Sequence, residues 1–379
     1  MKTEKAKPRI ALLGVATLGG GPLGHGIPSI SDLFSRLSDY YTIVFYSFNP
    51  TDVTRIPKSI TVRQTSGWRM PGRIKYILLS ARLLWDHLLS RYDLIFAVAA
   101  YPAGQYAVVL GKIVKRPSVV QYIALEAVAL TDIGYGNLAI PWLRKITKWV
   151  SQEAIALVMV AEHQRKVALA TLPSDRKMEV LPLRINPNHF HYRKKAVTFP
   201  VQLIHIAYYS PIKDQDTMFR AIAKVSKTIP CYLTVIGDGF NNPKVKTLLQ
   251  ELNISDLVTF KGLISQTELP QYLNDAHILV HPARFETGCA AIQEAMASGV
   301  AVCGTDVGIL ADLGDRYAAV VPVADPERLA LGILQLVNDP ETYQRITTEA
   351  HKWITEFDNK WSVENYRQFL DELLVSNNR

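Results

Sequence analysis

The 379-residue chain has little cysteine. Cys231, Cys289 and Cys303 sit among apolar or small neighbours, without metal-ligand spacing. This argues against a disulfide framework and makes a reducing cytosol the expected compartment. Low-complexity tracts and short repeats are missing. So are RNP, zinc-finger and basic-zipper patterns, and nucleic acid is therefore not an expected partner. There is no unbroken apolar run long enough for a membrane span. The nearest, residues 94–114, is interrupted by Pro102, Gly104 and Gln105 and reads as strand, turn and helix. The basic N-terminus leads into about seven apolar residues that end in glycines and not in a cleavage site, so it reads as a first strand.

What is present is a globular composition, 48% hydrophobic, with an excess of base: 42 Lys and Arg against 34 Asp and Glu, a net charge of +8. A basic surface favours phosphorylated metabolites or acidic lipid headgroups. Short apolar runs alternate with longer amphipathic stretches in two series. The first runs from "IALLGVA" at Ile10 to "EVLPLRI" at Glu179. The second runs from "VQLIHIAYY" at Val201 to "AAVVPV" at Ala318. Short, fully apolar strands between helices indicate parallel sheets covered on both faces. The expected fold class is α/β, with two doubly wound Rossmann-like domains: residues 1–187, a polar linker at 188–200, and residues 201–360. From Pro326 onward the pattern is helical, and the end helix, about 361–379, is expected to return to the first domain.

Each half opens on a strand followed by a permissive loop. "TLGGGPLGHG" (Thr17–Gly26) includes Gly20 and Gly21; it suits phosphate or sugar hydroxyls at a helix start, or is a flexible turn. "YYSPIKDQD" (Tyr208–Asp216) places Lys213 between a strand and a helix, either to neutralise a diphosphate or as a solvated lysine. "FETGCAAIQE" (Phe285–Glu294) follows the strand "HILVHPA", at the end where open parallel sheets bind ligands. Gly288, Cys289, Ala290 and Ala291 would form a first helical turn with its N–H groups open to an anion. Glu294, two turns on, needs partners if buried: hydroxyls of a ligand, or a base such as Arg284.

These segments resemble retaining glycosyltransferases of the GT-B fold, glycosyltransferase family 4. The E-x7-E pattern is Glu286 and Glu294, inside "HPARFETG" and "EAMASGVAVCGTDVG", with "VTFKGLI", "SPIKDQDTMFRAI" and "VIGDG" in family order. The likeness is strong over residues 178–340 and looser before. It implies two domains facing across a cleft and a nucleotide-diphosphate sugar held by the second. Glu294 would hold the ribose, Glu286 the transferred sugar and Lys213 the diphosphate. Amides near Gly288, Cys289 and Ala290 would meet sugar or phosphate, and the backbone at Leu263 the base. No metal and no cofactor beyond the donor substrate is implied. Tyr208, in the donor-binding set, stands where family members usually carry an arginine, which implies either weaker diphosphate stabilisation or a contribution from Arg284 in its place. On the acceptor side the likeness implies Gly20, Gly21 and Glu126, with His25 as the proton-carrying candidate.

The expected activity is transfer of a sugar to a glycan or lipid-linked acceptor in cell-envelope polysaccharide or glycolipid synthesis, at the cytoplasmic side. The alternative is a degenerate subunit that binds nucleotide sugar and partners an active transferase. Residues 72–92 and 140–154 are basic amphipathic stretches with tryptophans. They suit an anionic membrane surface, or pack on their own sheet.

Overall fold

The computed structural model describes residues 6–15, 17–19, 27–65, 72–173 and 175–376. It comprises two compact units, Met1–Leu183 with Asn359–Arg379, and Arg184–Asp358.

In the first unit seven strands form one parallel sheet: β1 (Arg9–Gly14), β2 (Thr42–Ser47), β3 (Thr61–Gln64), β4 (Leu94–Val98), β5 (Ser118–Tyr122), β6 (Ala156–Met159) and β7 (Lys177–Val180). Their order is β3-β2-β1-β4-β5-β6-β7. Both faces are packed, and so the central strands are apolar throughout and not alternating. Along β1, Ile10 and Leu12 enter one core while Ala11 and Leu13 enter the other. Residues 94–114 are β4, a turn, and the helix Gln105–Val114, as their broken hydropathy predicts. Strand β3 was not predicted. Its sequence, TVRQ, is polar and none of its residues is buried, because it is an edge strand with little core to face.

The helix Asn359–Ser376 belongs to this first unit. Tyr366, Phe369, Leu370 and Leu374 join the core of Ile10 and Leu12. The buried Tyr366 hydroxyl accepts from Gln121 Nε2 (2.9 Å) and donates to the Leu181 carbonyl (2.9 Å), so the hydroxyl is used both as acceptor and as donor. Tyr41 donates to Asp371 (2.6 Å) on the same helix.

The second unit holds β8 (Val201–Ile206), β9 (Cys231–Ile236), β10 (Val258–Gly262), β11 (Ile278–His281), β12 (Ala301–Thr305) and β13 (Ala319–Val321), parallel, in the order β10-β9-β8-β11-β12-β13. All six coincide with the apolar runs read from the sequence. Residues 188–200, expected as a linker, are folded against this unit. Lys195 Nζ donates to the carbonyls of Leu273 (2.6 Å) and Ala276 (2.8 Å), where burial lowers its pKa to about 8. Tyr192 stacks on His351 with ring centroids 4.0 Å apart.

Candidate active site

The strand order of the second unit reverses between β8 and β11. The loops leaving those two strands diverge there, which is where open α/β sheets form ligand crevices. Neighbouring loops are locked at this edge. Gly237 donates to the Gly262 carbonyl (2.9 Å) and Tyr209 N–H to the Asp238 carbonyl (2.8 Å). Gly237 has a φ of 144°, and any Cβ there would meet the Ala207 carbonyl oxygen at 1.9 Å, so the chains approach this closely only with glycine.

The β8 loop is tied down by Gln215, the first residue of the helix Gln215–Val225. Its Oε1 accepts from Ser210 N–H (3.2 Å), and its Nε2 donates to the Tyr208 carbonyl (2.9 Å) and lies 3.2 Å from His205 Nε2. A donor at Nε2 makes that nitrogen the acceptor, so His205 carries its proton on Nδ1 and donates to the Val280 carbonyl (2.8 Å) on β11. Complete burial, with His281 nearby, pushes its pKa down to about 3 and keeps it neutral. One buried glutamine and one buried histidine thereby fix the turn that presents Lys213.

Lys213 meets Glu286 from the β11 loop, Nζ against Oε2. The side chains are 16% and 13% exposed. Burial disfavours both charges, but each partner overrides it. Glu286 holds the ammonium above the usual lysine range, and Lys213 with His281 holds the carboxyl well below the usual carboxylate range. His281, at the end of β11 and 1% exposed, has Nε2 3.1 Å from the same oxygen. Burial lowers its pKa, so the neutral ring donates from Nε2. The other Glu286 oxygen accepts from Thr287 N–H (3.1 Å). Gly308, at φ 56°, presses on this turn from the loop after β12. A Cβ there would meet Glu286 and Thr287 backbone atoms at 2.5–2.6 Å.

The helix Ala290–Ala297 begins on Cys289, whose φ of 28° is unusual for a residue with a side chain and which gives no side-chain cap. The Ile292 N–H faces the Cys289 sulfur, and small residues at 288–291 leave the rest of the helix start uncrowded. Gln293 supports the turn from behind: Nε2 donates to the Gly288 carbonyl (2.6 Å) and Oε1 accepts from Ile185 N–H (3.3 Å). Burial, then the Glu286 charge, pushes the Cys289 thiol up and leaves it protonated.

Glu294 lies on this helix, 5% exposed. Among the described residues nothing donates to its carboxylate and no base pairs with it, Arg284 included. Burial raises its pKa to about 7. Arg284 docks through its backbone N–H on the Ile212 carbonyl (2.8 Å), beside the Lys213 loop, and its charge acts on Asp214. Tyr208 and Leu263 are exposed, at the ends of β8 and β10.

His281 Nε2, a Glu286 oxygen and Cys289 Sγ lie within 4.8 Å of one another and form a possible metal-ligand set. Lys213 already contacts the same Glu286 oxygen, so a metal would have to displace a built-in cation.

The structure thus brings Lys213 and Glu286 together, with Cys289 joined to them through His281, and places Glu294 on the helix that Cys289 opens. His281, His205 and Gln215 had no assigned role in the sequence. His281 stands inside the quoted "HPARFETG", which was a usable signal; the contacts of His205 and Gln215 have none. In the first unit Glu126 is 4% exposed and bends back on its own turn, accepting from the N–H groups of Ala124 (2.8 Å) and Ile123 (3.3 Å). Gly20, Gly21 and His25 lie outside the described residues.

Residues 193–353 match the family described as Glycosyl transferases group 1, so the second unit carries a domain of that class. Among curated proteins, the chain is similar to N-acetyl-alpha-D-glucosaminyl L-malate synthase of Bacillus anthracis, 27% identical over 177 residues, 46% of this chain and 43% of that one. The chain spans about half the length of the curated relatives it matches. Among solved structures, it resembles sucrose-phosphate synthase of Thermosynechococcus elongatus, with a TM-score of 0.80, 18% identity, and 98% and 100% of the two chains covered. It also resembles HepE of Anabaena in complex with UDP-glucose, with a TM-score of 0.75, 16% identity, and 96% and 99% covered. The fold shared with these glycosyltransferase structures is GT-B: two Rossmann-like α/β domains, here with seven and six parallel strands.

Proposed function

We propose that the protein is a retaining, metal-independent glycosyltransferase of family 4. It moves a hexosyl group from a nucleotide-diphosphate sugar to a hydroxyl of a glycan or lipid-linked acceptor, in envelope polysaccharide or glycolipid synthesis. The observation that carries the reading is Glu294: a buried carboxylate, without a donor among the described residues, on the helix whose start adjoins the Lys213–Glu286 pair. A buried charge needs hydrogen-bond donors, and the two ribose hydroxyls of a nucleotide supply them. The HepE complex shows that a neighbour of this fold holds a UDP-sugar.

In this reading an ammonium has three donors and Glu286 takes one, which leaves Lys213 donors for a diphosphate. The positive end of the helix start adds to them, and Arg284 stands close to the same loop. Glu286, kept anionic by Lys213 and fixed by His281, accepts from hydroxyls of the transferred sugar. The bond from the acceptor oxygen to the anomeric carbon forms on the face from which the diphosphate leaves. The acceptor proton passes to the departing phosphate oxygen, so configuration is retained and no protein nucleophile is consumed. The test is transfer from a panel of nucleotide sugars in the presence of EDTA. Wild-type turnover that Glu286→Gln abolishes supports the reading. An anomerically inverted product, or turnover lost to the chelator, contradicts it.

A further inference from the structure

The helix Gly72–Leu89 in the first unit turns its apolar stripe away from the sheet. Ile74, Ile77, Leu78, Trp85, Leu88 and Leu89 are 46–78% exposed. At roughly 100° per residue they fall within an arc of about 120°. The opposite arc meets the core with Leu79 and Leu83 and also buries Lys75 and Asp86. Asp86 is satisfied there by Arg63, Arg82 and Tyr46. Surface helices ordinarily do the reverse, and an apolar patch of this size on a folded surface marks a contact site.

The helices Gln105–Val114 and Pro141–Glu153 share its core layer and extend the pattern outward, with Ile113 58% and Trp142 51% exposed. Charge identifies the occupant. Besides the buried Lys75, the three helices hold six Lys and Arg (two, one and three) against two acids, Asp86 and Glu153. Both acids are already paired with bases, Asp86 with Arg63 and Arg82, Glu153 with Lys112. Two of the six, Arg82 and Lys112, are the partners of those acids, so Arg144, Lys145 and Lys148 of the Pro141–Glu153 helix are the described cations that the layer carries beside its apolar side chains without an acid to pair them. No described helix is long and apolar enough to cross a membrane.

We propose that this face docks on an anionic lipid surface: the stripe of the 72–89 helix enters the headgroup boundary with Trp85 and Trp142 at its level, and the cations meet lipid phosphates. The inference concerns the first unit and does not depend on the donor reading of the second.

The test is co-sedimentation of the full chain with vesicles of phosphatidylcholine alone or doped with phosphatidylglycerol. Binding is expected to the doped vesicles only, weakened by salt, with Trp85 fluorescence quenched by brominated lipid. The variant Ile77→Asn/Trp85→Asn/Leu88→Asn changes exposed positions and should lower the partition at least about tenfold. Lys145→Gln/Lys148→Gln, which leaves the apolar stripe intact, should lower it less. Failure of the wild type to sediment with doped vesicles overturns the proposal, as does equal binding by both variants. A solution dimer abolished by the triple variant, without vesicle binding, assigns the face to a second copy and also overturns it.

Discussion

Glu126 and Glu294 are equally buried, at 4% and 5% exposed, and burial raises the pKa of both. They differ in what answers the burial. Glu126 accepts from two backbone amides of its own turn after β5, and those bonds partly offset the rise. Glu294, on the helix after β11, has no donor among the described residues. The comparison teaches that a buried acid identifies a ligand site only when the protein leaves its oxygens unanswered. Satisfied acids close turns.

The comparison can be broken or sharpened by substitution. The largest effect is expected at Glu286. Glu286→Gln keeps the shape but removes the charge that Lys213 and His281 hold, and transfer should fall by about 10³ or more. Near-normal steady-state turnover would detach this carboxylate from the chemistry.

Next is Lys213→Ala, which leaves Glu286 charged and largely buried with a neutral histidine. Loss of one partner of such a pair costs about 3–5 kcal/mol, read as a lower urea midpoint at pH 7. The depressed pKa of Glu286 means that the pair's contribution is present above the unfolded carboxyl value, about 4.3, and is lost as pH falls below it. Wild type and variant should therefore converge in acid.

Glu294→Gln has the opposite sign. A carboxyl raised to about 7 favours the fold below its unfolded value and loses that contribution as pH rises toward 7. The variant should match wild type near pH 4 and exceed it by roughly 3 kcal/mol at pH 8 without ligand. A gain at both pH values would mean that the acid is not ionising in the fold.

The smallest effect is at Glu126. Glu126→Gln exchanges charge-assisted for neutral bonds and should cost about 1 kcal/mol, with donor affinity unchanged. Lost donor affinity there would undo the distinction between the two acids.

Much of the sheet architecture was legible because parallel strands buried on both faces leave continuous apolar runs. Strand β3 was not, since an edge strand carries no such signature. At the site, the residue types of Lys213, Glu286 and Glu294 and their places after strands were readable. The ties among them were not: Lys213 reaches across 73 positions to Glu286, and His205 reaches across 75 to Val280. Contacts at that separation follow from strand order, which apolar runs do not encode. The 72–89 helix fails in another way. Its amphipathicity was visible, but two faces of one helix can each meet sheet or solvent. The buried network of Asp86 with Arg63 and Tyr46 decides the orientation against the usual rule.

The central claim is that Glu294, without a donor among the described residues, receives hydroxyls of a nucleotide sugar. Its most direct test is the thermal shift of wild type and Glu294→Gln with a panel including UDP-glucose and GDP-mannose. The account predicts that at least one donor raises the wild-type midpoint, through a stabilisation of about 2.7 kcal/mol at 100 times its Kd, and that the shift is lost in the variant. An undiminished shift in the variant, or none with any nucleotide sugar in wild type, would contradict it.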